Sequence, residues 1–164
     1  MMLGSAALLQ EEAMVESSSL AYANQALTRK YLGIDVDSYV LSTSAPSWLR
    51  AVQGQIEECS RLETGWDSYS ARPISSTACA AAYRIVRELA TRSTPVPSVV
   101  PTSDGLIQFE WHTNDIDLEV RVLSTTKIEV SCEDARGTLA SMEDAEFSYD
   151  FRDVKKAIDV LSTR

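Results

Sequence analysis

This chain is poor in several residues that chemistry most often needs. It has a single histidine, His112, among 164 residues. Any Ser-His-Asp or Cys-His catalysis would have to pass through that one imidazole. Its six glycines do not cluster, so no phosphate-cradling glycine loop is present, and there is no Gly-x-Ser-x-Gly elbow. The three cysteines, Cys59, Cys79 and Cys132, lie far apart with no Cys-x-x-Cys pair. That spacing excludes a disulfide framework and a cysteine zinc site, and each falls at an apolar-periodic position suited to a buried thiol. No stretch of 18 apolar residues occurs, which excludes a membrane-spanning helix. Positive charge is short as well: 15 basic against 24 acidic groups leave a net charge of −9. A surface of that sign repels phosphate backbones and anionic lipid, so the expected partner is neither nucleic acid nor a membrane.

The remaining composition is that of a folded domain. A hydrophobic content of 45% is enough to fill a core. The excess of acid is uneven. Residues 1–94 carry 10 acidic and 8 basic groups, whereas residues 95–164 carry 14 acidic and only 7 basic. The start, Met1 to Leu9, is apolar but has no basic residues ahead of it and is followed by Glu11-Glu12. It reads as the beginning of a helix rather than a signal peptide, and the expected compartment is the cytoplasm.

Hydrophobic periodicity divides the chain into an N-terminal helical arm with a linker, residues 1–47, and a single α+β domain, residues 48–164. Within the arm, residues 5–32 have helical spacing, broken near Ser17-Ser18-Ser19 and closed by Gly33. Residues 34–46 suit a linker or short strand. Ser47 is a candidate cap for a helix carrying Leu49, Val52, Ile56, Cys59 and Leu62 on one face. A second helix, capped by Ser75 or Ser76, shows Ala78, Ala82, Ile85, Val86 and Leu89 as its buried stripe, with Pro95 and Pro97 as its stop.

From residue 98 the period becomes two. Ile107, Phe109 and Trp111 alternate with Gln108, Glu110 and His112; Ile116, Leu118, Val120 and Val122 alternate with Asp117, Glu119 and Arg121; Ile128, Val130 and Cys132 alternate with Glu129, Ser131 and Glu133. Turn residues separate the runs, at Asp104-Gly105, Asn114-Asp115 and Ser124-Thr125-Thr126. Residues 143–149 suit a further strand or a loop, and Asp150 a cap for a last helix burying Phe151, Val154, Ala157, Ile158 and Leu161. The fold class that follows is α+β, with helices on one face of a three- to five-stranded antiparallel meander and a C-terminal helix.

Register turns the sheet into a candidate site. A two-residue loop at Asn114-Asp115 pairs Gln108 with Arg121, Glu110 with Glu119, and His112 with Asp117. The next turn sets Arg121 beside Glu129, Glu119 beside Ser131, and Asp117 beside Glu133. Like charges directly opposite cost a few tenths of a kcal/mol, up to about 1. A strand face that tolerates them is either solvated or a surface for a cation. Solvation alone is the ordinary fate of charged strand residues. The cationic alternatives are a basic protein surface or a divalent metal held by Glu110, His112, Asp117 and Glu119. Opposed carboxylates on an open face form no substrate cleft, which argues against glycosidase-type chemistry.

The stretch Gly65-Trp66-Asp67-Ser68-Tyr69-Ser70-Ala71-Arg72-Pro73-Ile74 is unusually aromatic for a loop. Trp66 and Tyr69 are therefore candidate partner anchors, or a clasp folded back on the helix–sheet junction. This stretch is similar to a Gly-Trp-Asp-Gly-Tyr-Gly-Ala-x-Pro-Ile pattern found in small bacterial proteins. Those also carry a Pro-Thr-x-Asp-Gly-x-Ile-x-x-Glu-Trp segment, matched here by Pro101 to Trp111. The resemblance spans about residues 60–133 and implies no activity. It departs at Ser68 and Ser70, where the pattern often has glycine, so a left-handed backbone is not expected there.

The sequence thus leads to a non-enzymatic protein-binding module of the antitoxin, immunity or inhibitor kind, with no cofactor and no metal. Its binding residues would be Glu110, Asp117, Glu119, Glu129 and Glu133, with Trp66 and Tyr69 as anchors, against a partner protein with a basic surface. The N-terminal helices offer a second contact or a homodimer element. An enzyme or metal-binding domain built on His112 and nearby carboxylates, or a structural accessory subunit, is the alternative reading.

Overall fold

The computed structural model describes residues 48–163, so the N-terminal arm, its linker and the Ser47 cap lie outside the described residues. The first helix, α1 (Leu49–Cys59), buries Leu49, Val52, Ile56 and Cys59, the stripe its three- and four-residue spacing dictates. Helix α2 (Ser76–Leu89) is capped by Ser75, whose hydroxyl accepts from the Ala78 amide at 3.1 Å. Ala78, Ala81 and Ala82 lie on its buried face, small enough for close packing. The helix stops at Leu89, before the prolines expected to end it. Thr94 takes over there: it is buried, and its hydroxyl accepts from the Thr91 amide at 2.8 Å.

Five strands follow: β1 (Ser98–Pro101), β2 (Ile107–Thr113), β3 (Ile116–Val122), β4 (Lys127–Asp134) and β5 (Met142–Ser148), paired antiparallel in chain order. The segment left open between strand and loop is thus a strand, at the edge of the sheet. The observed register sets Gln108 opposite Arg121, Glu110 opposite Glu119, and His112 opposite Asp117; on β4 it sets Glu129 opposite Arg121, Ser131 opposite Glu119, and Glu133 opposite Asp117. Every expected pair is found. Between β2 and β3 the cause is their turn, where Asn114 and Asp115 take φ of 57° and 62°. Two successive left-handed residues make a type I′ turn, whose twist matches the strands and leaves no room for slippage.

The last helix, α3 (Arg152–Thr163), buries Val154, Ala157, Ile158 and Leu161. Phe151, expected inside it, is buried just ahead of it, and the Asp150 carboxylate accepts from the Arg152 amide at 3.1 Å. The three helices and the inward residues of the strands form one core, in which Phe109, Leu118, Val120, Ile85 and Ile158 are wholly buried. Each such side chain contributes about 1.5–3 kcal/mol relative to exposure. Two side chains tie loops to this core. The Trp111 indole donates to the Pro95 carbonyl at 2.8 Å, and the Asn114 amide donates to the Leu161 carbonyl at 3.2 Å. No helix among the described residues is long and apolar enough to cross a membrane.

Candidate functional site

Because all three helices lie against the inward residues, the outward residues of β2, β3 and β4 share a face that no described element covers. The sequence places acid there repeatedly, and the structure brings Glu110, Asp117, Glu119, Glu129 and Glu133 together as neighbours in adjacent strands. The edge strand continues the pattern, with Glu146 opposite Glu129. Asp144 is bent into a left-handed conformation (φ 47°) beside an irregularity in the β4–β5 pairing. There its amide and carboxylate both bond the Ser131 hydroxyl, at 3.2 and 3.1 Å.

Like charges this close need intermediaries, and the face supplies them. The Gln108 amide donates to Glu110 at 2.9 Å and to Glu119 at 3.0 Å, bridging the two opposed carboxylates. The His112 ring sets Nδ1 2.8 Å from Asp117 and Nε2 3.2 Å from Glu110. Hydrogen bonds to those two carboxylates, Asp117 first, raise the His112 pKa above its ordinary 6.5. Arg121 pairs with Glu129 at 2.9 Å and with Asp104 in the β1–β2 turn. Thr102 donates to Asp104 at 2.6 Å. Bonds from Thr102 and Arg121 outweigh desolvation, the largest opposing influence, and hold the Asp104 carboxyl below its usual range. Lys127 pairs with Glu146 at 2.8 Å.

The Gly65–Ile74 loop divides its two aromatic residues between different tasks. The Trp66 indole donates to the Arg72 carbonyl at 3.1 Å and the ring is half-buried. Asp67 accepts from the Tyr69 and Ala71 amides at 2.9 and 3.1 Å, which closes the loop on itself. Ala71 and Ile74 plug the core beneath it. Tyr69 is 87% exposed and supports nothing. Ser68 corrects the expectation drawn from its missing glycine: its φ is +68°, so the left-handed bend is present and serine adopts it. The loop also docks on the other matched segment. The Arg72 amide donates to the Ser103 carbonyl at 2.8 Å, and a Cβ on Gly105 would lie 3.1 Å from the Pro73 carbonyl oxygen. The two motifs form one contact, with Trp66 as structural clasp and Tyr69 as its free tip.

The strand register pairs His112 with Asp117 and Arg121 with Glu129, as expected, but it does not encode the partners reached along diagonals or from turns. Gln108 stands opposite Arg121 but reaches diagonally to Glu119. Asp104 has the chemistry of a turn residue, and from that turn it closes an ion pair with Arg121 on β3. Diagonal reach between strands was the available signal.

Cys59, Cys79 and Cys132 are buried and free, and burial pushes their thiols up, Cys79 to about 11. They are not poised nucleophiles. Among the described residues no group of three or more His, Cys, Asp or Glu side chains is placed to hold a metal ion. The chain matches no protein-family model, no curated protein and no solved structure.

Proposed function

We propose that this chain is a non-enzymatic protein-binding module that lays the outward face of its sheet against a basic surface of another protein, as antitoxin, immunity and inhibitor proteins do. One observation carries the reading: Glu110 stands opposite Glu119 and Asp117 opposite Glu133 on a face no described element covers. Such an arrangement costs stability in the free protein. A partner's lysines and arginines would relieve that cost, and the long-range field of the face would speed their approach. Tyr69, exposed on a loop braced by Asp67, supplies an anchor beside charge-driven docking.

The test is reversal of charge. Glu119→Lys with Glu133→Lys should weaken binding of an oligolysine peptide at least tenfold, about 1.4 kcal/mol, at low salt. Raising salt should weaken wild-type binding steeply and the double variant little. Equal binding by both proteins at every salt concentration would refute the reading.

A second reading has its own observation, since His112 is bonded through both ring nitrogens to carboxylates. A carboxylate at Nδ1 is what orients an acid–base histidine, and Glu110 at Nε2 stands where the reacting group would have to be. It sits on an open strand face with its side chain 52% exposed, so no enclosed substrate position adjoins it. An activity abolished by His112→Gln would favour this reading.

A further inference from the structure

The His112 ring meets a carboxylate at each nitrogen, Asp117 at Nδ1 and Glu110 at Nε2. Only the imidazolium can donate to both, because a neutral ring turns one lone pair toward a carboxylate oxygen. The longer contact, 3.2 Å to Glu110, is the one a neutral ring gives up, and Glu110 has Gln108 as a second donor at 2.9 Å.

We propose that His112 is a proton-operated gate on the acidic face. Protonated, it clamps β2 to β3 and withdraws Glu110 and Asp117 from outside cations; neutral, it releases them. The gate rests on the acidic-face reading given above.

The surroundings of His112 favour a clean response. Its own strand contributes Glu110. From β3 come Asp117 and, opposite Glu110, Glu119. From β4 comes Glu133, opposite Asp117. Strand β1 begins with Ser98 opposite Glu110 and brings no charge. Of the cations that follow in the chain, Arg121 lies four residues beyond Asp117 on β3 and is taken by Glu129 and Asp104, and Arg136 is taken by Asp115 in the adjoining turn. Every charged group facing the ring is therefore an acid, and loss of the proton returns a full negative charge to the strip. The raised pKa of His112 agrees with this geometry. The sign follows: the clamp is complete below the ordinary 6.5 and is lost as pH rises through the higher folded value.

As the sole histidine, His112 gives a single imidazole titration curve by NMR. Its midpoint should lie above 6.5, and Asp117→Asn should lower it. Oligolysine should bind about threefold or more tighter on the alkaline side of that midpoint than on the acid side, from one charge acting across ~6 Å of water. The difference should vanish in His112→Gln. A midpoint at or below 6.5 overturns the clamp. A raised midpoint with unchanged affinity, or a difference that persists in His112→Gln, overturns the gate and leaves the acidic-face reading standing. Absence of oligolysine binding on both sides of the midpoint overturns the gate and that reading together.

Discussion

Ser68 and Gly105 show how backbone conformation is distributed between the two matched segments. Ser68 holds φ +68° without the freedom of glycine, at a cost of roughly 1–2 kcal/mol. Gly105, at φ +88°, lies so close to Pro73 and Arg72 that a side chain there would meet the Pro73 carbonyl oxygen at 3.1 Å. The two positions should respond in opposite senses. Ser68→Gly should raise stability by about 0.5–1 kcal/mol, the relieved strain less the added entropy of glycine in the unfolded chain. Gly105→Ala should lower it by about 1–3 kcal/mol, because strain and crowding act together. Urea midpoints with unchanged slopes measure both. A stabilising Gly105→Ala would show that the contact between loop and turn is not tight.

The elements were legible in the sequence wherever one face of a strand or helix is buried, since burial enforces a period. The stripes of α1 and α2 and the alternation of β2 to β4 followed from that alone. The Asn114-Asp115 turn made the register readable to the residue. The end of α2 was less legible, because a threonine turn stopped it before the prolines did. The side-chain network was least so, because Gln108 and Asp104 bond along diagonals and across turns that no period encodes. The same tertiary dependence hid the meeting of Arg72 with Ser103, which joins segments about thirty residues apart.

Carboxylates also secure two junctions between elements. Asp104 ties the β1–β2 turn to Arg121, and Asp150 holds Arg152 at the start of α3, its pKa lowered to about 2 by that partner. Both groups have folded pKa values below their ordinary 3.8. Their contributions are therefore complete above about pH 4 and are lost as pH falls through the lower folded values. Acid unfolding should begin below about pH 4, and Asp104→Asn should flatten the stability–pH curve in that window. Parallel curves for the variant and wild type, followed by circular dichroism, would show that Asp104 contributes nothing through its charge.

At the scale of the whole molecule, the apolar and acidic parts are divided between the two sides of one sheet. Helices α1, α2 and α3 are spent on the inward face, and the net charge of −9 leaves an acidic surplus for the outward one. Internal partners offset part of that surplus through Arg121, Lys127 and His112, and the opposed pairs Glu110–Glu119 and Asp117–Glu133 concentrate the rest. A basic partner is expected to land on this face. Chemical-shift mapping by NMR with oligolysine as the probe tests it most directly. Above the His112 midpoint the largest changes are expected at Glu110, Asp117, Glu119, Glu129 and Glu133, with little change on α1, α2 and α3. Changes confined to the helices or to the Gly65–Ile74 loop, with the outward residues of β2 to β4 undisturbed, would contradict it.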